Sequence, residues 1–402
     1  MNIGELVQVP AEEAAGIVKS LAFDASEYAW RLDRVQSVMV KQGLDGLILY
    51  SPENLCYLSG FHTPGYYFPQ ALIVAASGTP RLVTRYLEQP GALAASWLAP
   101  ENLLGYLDHQ DPVGAFLATL NAMGLNRGRI GIEKQGYSTL PIRSFEQLGA
   151  NLADAELVDA SKLVEQFRAV KSPAEIAYIR RAAEISSLAM MSAMEHCKVD
   201  MTEHALAAQV SKTLAANGAE YAGLPIFISS GHRTYIRHAV PTEKIIERGD
   251  NVLVELTGVV RRYAGPLFRT LNLGPPSARM RAHSDTARDM LNALIEGLKP
   301  GLTSHEANAM AVEAAGKSRV GSVKRAGYSV GLNFPPDWGE GVFLDLCTGN
   351  QTILEAGMVF HLPQTIRVGA NAPSAISETI LMTENGCEVL TKHTPRDLVV
   401  VD

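Results

Sequence analysis

Two hydrophobic periods run along this chain, and the switches between them mark its elements. From Ser26 to Gly43 the apolar residues Leu32, Val35, Val38 and Met39 recur at helical spacing, which predicts a helix with one apolar face. Gly46-Leu-Ile-Leu-Tyr50 is a short apolar run and predicts a strand. Ser51-Pro-Glu-Asn54 predicts a turn, and Leu55-Cys-Tyr-Leu58 a second strand. Further strands are expected from Ala71 to Ala76 and from Arg81 to Thr84, with Ser77-Gly-Thr-Pro80 between them. A helix from Pro112 to Met123 and a strand from Arg129 to Glu133 continue the alternation, which predicts an α/β domain over residues 1–165.

Residues 166–402 read differently. Ser172, Pro173 and Glu175 supply an N-cap, a first helical position and a capping box, and Ile176, Ile179, Ala182, Ala183 and Ile185 then make one face. A second helix from Thr202 to Asn217 stops at Gly218, where a left-handed cap is expected. An apolar strand runs from Val252 to Leu256. After Pro275-Pro276 come a helix from Ala278 to Gly297 and another capping box, Thr303 with Glu306. Strands are expected from Gly357 to Leu362, from Ile376 to Thr383 and from Glu388 to Leu390. Thr383-Glu-Asn-Gly386 marks a hairpin, because Asn-Gly accepts positive φ. Helices and antiparallel strands in this order predict an α+β domain.

Composition narrows the function. The chain has 402 residues, is 47% hydrophobic and 19% charged, and so can bury large cores. Its net charge of −7 argues against a nucleic-acid partner and against a basic membrane-binding face. No apolar run reaches membrane-spanning length, and Met-Asn-Ile-Gly-Glu-Leu lacks the regions of a signal peptide. Cys56, Cys197, Cys347 and Cys387 are far apart and read as reduced thiols of a cytoplasmic protein.

Candidate chemistry gathers between Ser229 and Thr270. His238 lies in a polar loop that ends at Pro241, and Glu255 interrupts an apolar strand. His361 and Glu378 likewise sit in apolar runs. A charge in such a run needs a partner or a task, because burying it unpaired is costly. His-Glu-x-x-His zinc motifs, Cys clusters, a Gly-x-Ser-x-Gly elbow, a Walker loop and Gly-rich dinucleotide fingerprints are all missing.

Three segments carry a resemblance. Ser51-Pro-Glu-Asn-Leu-Cys-Tyr-Leu-Ser-Gly60, Lys171-Ser-Pro-Ala-Glu-Ile-Ala-Tyr-Ile-Arg-Arg-Ala182 and Ser230-Gly-His-Arg-Thr-Tyr-Ile-Arg-His238 resemble the creatinase–prolidase–methionine aminopeptidase superfamily. The resemblance implies a creatinase-like N-terminal domain followed by a pita-bread catalytic domain, with His238 as the catalytic histidine. The metallopeptidases of that superfamily hold two metal ions with two Asp, one His and two Glu. Here those positions fall on Glu255, Pro266, Tyr328, Pro363 and Glu378. Two carboxylates do not make a two-metal clamp. The chain is most similar to the metal-independent ectoine hydrolases, and the resemblance implies no cofactor and no metal.

The chemistry so implied is hydrolysis of a cyclic amidine, ectoine, to N-acetyl-2,4-diaminobutyrate. A protonated amidinium carbon is electrophilic without a Lewis acid. It needs carboxylates to hold the cation, assigned to Glu255 and Glu378, and a proton shuttle, assigned to His238. Glu255 either attacks that carbon or activates a water. Arg233 is expected to meet the substrate carboxylate, from a set that also holds Arg237, Arg262 and Arg269. Phe68, Tyr328 and His361 are expected to line the substrate. The resemblance also implies a homodimer with shared sites and leaves room for a downstream deacetylase as partner. Three alternatives remain at this point: a creatinase-like enzyme acting on a guanidino acid, a metal-free binding protein, and a single ion at His238, Glu255 and Glu378. Phe268, where creatinase carries a Glu, speaks against the first.

Overall fold

Where the hydrophobic period is strong, the chain forms the element that the period dictates, in a computed structural model that describes residues 1–136, 140–316, 325–366 and 373–401. Two units separate by their internal contacts, Met1–Arg168 and Ala169–Asp402.

In the first unit, strands β1 (Gly46–Leu49), β2 (Ala71–Ala75), β3 (Arg81–Arg85), β4 (Leu103–Tyr106), β5 (Gly128–Ile132) and β6 (Ala155–Asp159) form one sheet in the order β4-β3-β2-β1-β5-β6. β1 runs antiparallel to β2 and parallel to β5. The helix Ala25–Gln42 buries Tyr28, Leu32, Val35 and Met39 and ends at Gly43, whose φ of 65° suits glycine. One expectation is corrected here. Leu55 to Leu58 is not a strand but part of the helix Pro52–Ser59. Pro52 takes the first helical position, and the buried Glu133 carboxylate, just past β5, accepts the backbone N–H of Tyr50 and of Ser51 at the helix start. Residues 54–59 are all buried, so the apolar run Leu55 to Leu58 carries no period that distinguishes helix from strand.

The second unit contains β7 (Phe227–Ser230), β8 (Asn251–Val260), β9 (Tyr263–Leu273), β10 (Arg325–Ser329), β11 (Asp345–Cys347), β12 (Val359–His361), β13 (Gln364–Ile366), β14 (Ser374–Ile376), β15 (Thr379–Thr383), β16 (Gly386–Val389) and β17 (Val399–Val401). They form a sheet β17-β9-β8-β7, a sheet β11-β10-β12-β15-β16 and a two-stranded ribbon β13-β14. The run expected as one strand from Ile376 to Thr383 is divided, so that Ser377 and Glu378 stand between β14 and β15. The helices Ala278–Gly297 and Ser304–Ala315 bring Met290, Leu291, Leu294, Ala307 and Ala311 into a core with Leu346, Phe360 and Met382. Both capping boxes read from the sequence are formed, at Ser172 with Glu175 and at Thr303 with Glu306.

The helix Pro173–His196 lies directly on the β8–β9 hairpin, because that hairpin carries glycine where they meet. A Cβ on Gly258 would stand 2.5 Å from the Ala182 carbonyl oxygen, and one on Gly265 would stand 2.5 Å from the Ala183 nitrogen. Ser186 Oγ fastens the crossing. It accepts the Gly258 N–H at 2.6 Å and donates to the Gly265 carbonyl at 2.6 Å.

Gly265→Ala forces backbone apart at this crossing, and is expected to lower unfolding free energy by about 1–3 kcal/mol in urea titration. Gly149→Ala, at a helical position whose added Cβ would meet only Leu157 Cδ1 at 3.8 Å, is expected not to lower it.

Candidate active site

The loop that carries His238 is held by one carboxylate. Glu203 opens the helix Glu203–Ala216 and is fully buried. It accepts hydrogen bonds from Ser230 N at 2.7 Å and Oγ at 2.9 Å, and from Thr242 N and Oγ1, each at 3.0 Å. Arg233 Nη1 completes its set, while Arg233 Nη2 donates to the Val240 carbonyl at 3.0 Å. Both ends of the loop are thus tied to one charge through charge-assisted bonds. His238 is exposed, has a φ of 53° and stacks on Phe227, with ring centroids 5.1 Å apart.

Register places the next groups. Phe227, Glu255 and Phe268 stand opposite one another on β7, β8 and β9, so their side chains share one face of the sheet. Glu255 is half-buried, and Phe268 is buried in a small cluster with Leu253 and Ala375.

A chain of hydrogen bonds runs beside this row. Phe227 meets Trp338 edge-on at 5.3 Å. Trp338 Nε1–H donates to Tyr328 Oη at 2.9 Å, Tyr328 Oη lies 2.7 Å from His361 Nδ1, and His361 Nε2 lies 2.6 Å from Ser377 Oγ. Tyr328 and His361 are register partners on β10 and β12, which brings them together. Burial, then the negative charges of Glu255 and Asp337, raise the Tyr328 hydroxyl well above its ordinary pKa. Burial, then the cations Arg325 and Arg269, lower His361 to about 3, so its ring is neutral at working pH.

Glu378 is fully buried and committed. Arg269 Nη2 donates to its Oε1 at 2.6 Å, Arg396 Nε donates to the same oxygen at 3.2 Å, and Thr391 Oγ1 donates to Oε2. Three of the four arginines considered from the sequence are likewise engaged. Arg233 holds Glu203, Arg269 holds Glu378, and Arg262 donates to the Tyr221 carbonyl at 2.7 Å and stacks on the Tyr221 ring. Arg237 is exposed and makes no hydrogen bond or ion pair among the described residues. Phe68 belongs to the first unit, where the Arg85 guanidinium lies 4.1 Å over its ring.

Residues 177–384 match the family Metallopeptidase family M24, and residues 31–170 match the Creatinase/Prolidase N-terminal domain. The chain is 32% identical over 402 residues to the ectoine hydrolase of Halomonas elongata, covering 95% of this chain and 99% of that protein. This chain belongs to metallopeptidase family M24. Within the family it is also 28% identical to the Xaa-Pro dipeptidase of Pyrococcus furiosus, over 92% of this chain and 99% of that one. Among solved structures, the Pyrococcus furiosus prolidase superimposes with a TM-score of 0.74 at 26% identity, covering 90% of this chain and 100% of that chain. The Bacillus anthracis Xaa-Pro dipeptidase gives 0.79 at 22%, covering 93% and 100%, and shares the two-domain pita-bread fold.

The family name implies a metal, and the donor set here does not fit one. Among the described residues no three His, Cys, Asp or Glu side chains gather as a metal-binding group. The oxygens of Glu378 are held by arginines and a threonine, and both ring nitrogens of His361 are already hydrogen-bonded. Among the described residues, no helix is long and apolar enough to cross a membrane.

Sequence reasoning singled out His238, Glu255, Tyr328 and His361 but missed Phe227, Trp338, Ser377 and Glu203. Trp338 follows Pro335-Pro336-Asp337, a loop with no period to read. Ser377 precedes Glu378 in a run that reads as continuous strand. Glu203 carries a weak signal, a carboxylate at a helix start, which ordinary capping also explains.

His361 gives a pH dependence. Below pH 6.5 the unfolded chain takes up a proton that the folded chain refuses until about pH 3. Stability therefore falls as pH drops through that window, at about 1.4 kcal/mol per pH unit for one proton. In chemical denaturation at pH 7 and pH 4.5, His361→Gln is expected to show a smaller difference between the two pH values than the unaltered protein.

Proposed function

We propose that this chain is a metal-independent hydrolase that opens the cyclic amidine ring of ectoine to N-acetyl-2,4-diaminobutyrate. The observation that carries the reading is the neutral hydrogen-bonded chain Trp338–Tyr328–His361–Ser377 beside Glu255, in a chain of full-length similarity to an ectoine hydrolase. In this reading the half-buried Glu255 carboxylate binds the amidinium cation. A Glu255 oxygen, or a water that Glu255 deprotonates, then bonds to the amidinium carbon. The bond from that carbon to one ring nitrogen breaks, and His238 gives that nitrogen a proton. If Glu255 is the nucleophile, water releases it in a second step. The net change adds one water across one C–N bond.

Phe268 favours this substrate over a guanidino acid. It is an apolar neighbour directly across from Glu255, suited to the methyl group of an amidine and unsuited to another cationic nitrogen. The reading gives Glu378 a holding task through Arg269, and gives Arg233 the loop rather than the substrate. Arg237, next to His238, then takes the substrate carboxylate. The reading also includes a cytoplasmic homodimer with shared sites, in which Phe68 lines the substrate, and a deacetylase acting on the product.

The experiment is incubation of chelator-treated protein with ectoine and, in parallel, creatine, with products read by chromatography. Conversion of ectoine is expected and Glu255→Ala is expected to abolish it. Conversion of creatine alone, or dependence on added metal, overturns the reading. Arg237→Ala is expected to raise KM for ectoine about tenfold or more with little change in kcat, as loss of a charge-assisted contact made equally in ground and transition states should.

A further inference from the structure

Counting donors along the buried hydrogen-bond chain leaves one hydroxyl hydrogen over, and where that hydrogen is placed sets which way the protons point. Trp338 Nε1 has only a hydrogen to give, so Tyr328 Oη accepts it. Phe268 N–H donates to Ser377 Oγ at 2.8 Å, so that oxygen accepts at least once. The His361 ring, being neutral, carries one proton. If that proton is on Nε2 it points at Ser377 Oγ, and the Ser377 hydroxyl hydrogen then has no acceptor among the described residues, in a side chain that is fully buried. If the proton is on Nδ1, Ser377 O–H donates to Nε2, and Nδ1–H donates to Tyr328 Oη. The hydrogen left over is then that of the Tyr328 hydroxyl instead of that of Ser377. Two N–H groups converge on the phenol oxygen, and the spare hydrogen sits on a hydroxyl that feels the negative charge of Glu255, whereas the other arrangement leaves it on Ser377 in a fully buried side chain.

We propose that Ser377 and Trp338 are positioning residues which, through His361, fix the Tyr328 hydroxyl as a hydrogen-bond donor to the substrate beside Glu255. The proposal deepens the hydrolase reading and rests on it for the identity of the substrate. An amidinium nitrogen has no lone pair to accept a hydrogen bond. One appears as its carbon becomes tetrahedral, so a donor fixed in advance acts on the transition state more than on the bound ground state. The hydroxyl gives a hydrogen bond and keeps its proton, while His238 carries the proton that moves. The charges around it are Glu255 and Asp337 on one side of the balance and Arg325 on the other. Arg325 lies 4.7 Å over the Tyr328 ring and so holds the ring as well as the charge.

The test has two arms. Nitrogen-15 NMR of histidine-labelled protein without substrate is expected to show His361 as the Nδ1–H tautomer. An Nε2–H tautomer overturns the proposal whatever the substrate is. Steady-state kinetics form the second arm. Tyr328→Phe is expected to lower kcat about a hundredfold, and Ser377→Ala about ten- to hundredfold, each with KM within about twofold. Tyr328→Phe at full kcat overturns the proposal, as does a change confined to KM. Failure of the unaltered protein to convert ectoine overturns the substrate reading alone, because the tautomer is still decided by the first arm.

Discussion

One buried carboxylate decides where the His238 loop lies. Glu203 has no solvent to stabilise its charge, and it collects donors from Ser230, Thr242 and Arg233. Those donors bracket His238. A residue with positive φ outside glycine is held only when its surroundings over-determine it. Glu203 supplies that constraint from one side of the loop, and the stack on Phe227 supplies it from the other. Removing the charge would leave several polar groups in a dry place at once, so the loop has one arrangement rather than a range.

The second unit sorts its charges by task. Arg269 with Glu378, and Lys171 with Glu340, are nearly inaccessible pairs at 2.6 and 3.0 Å. Breaking such a pair by removing one partner costs about 3–5 kcal/mol, because a lone charge is left behind. These pairs hold the backbone. Lys171 also donates to Ser329 Oγ at 3.0 Å, next to Tyr328, and Glu340 lies two residues beyond Trp338. The groups between the pairs, Tyr328 and His361, are neutral. Ionic pairs thus flank a neutral hydrogen-bonded pair, and Glu255 is a half-buried carboxylate whose charge acts on it.

Much of this was legible in the sequence, for a physical reason that also marks the limit. Helices with caps and a one-sided apolar face were readable, as at Ser172 and Thr303, because local chemistry alone sets them. Leu55 to Leu58, in the helix Pro52–Ser59, was misread as a strand, because burial on every side of that run erases the period. The candidate residues stood out as polar groups in apolar runs. Their partners did not. Ser377 is 16 residues from His361, and Trp338 joins Tyr328 from a loop, so only the tertiary fold brings these donors together. Whether a charge such as Glu378 faces a ligand or an arginine is a long-range question of the same kind.

The glycine crossing sets more than a packing distance. Gly258 lies three residues beyond Glu255 on β8, and the helix Pro173–His196 rests on it with backbone against backbone. Side chains between two elements act as springs, since rotamers yield. Here the side chain that bridges is the short Ser186 hydroxyl, hydrogen-bonded to both strands, and the helix acts as a rigid stop. The height of the Glu255 carboxylate above its sheet is therefore gauged against a helix axis, as a workpiece is set against a fixed fence. A distant substitution that tilts the helix would transmit its displacement to that oxygen, with no long, flexible side chain at the crossing to absorb it.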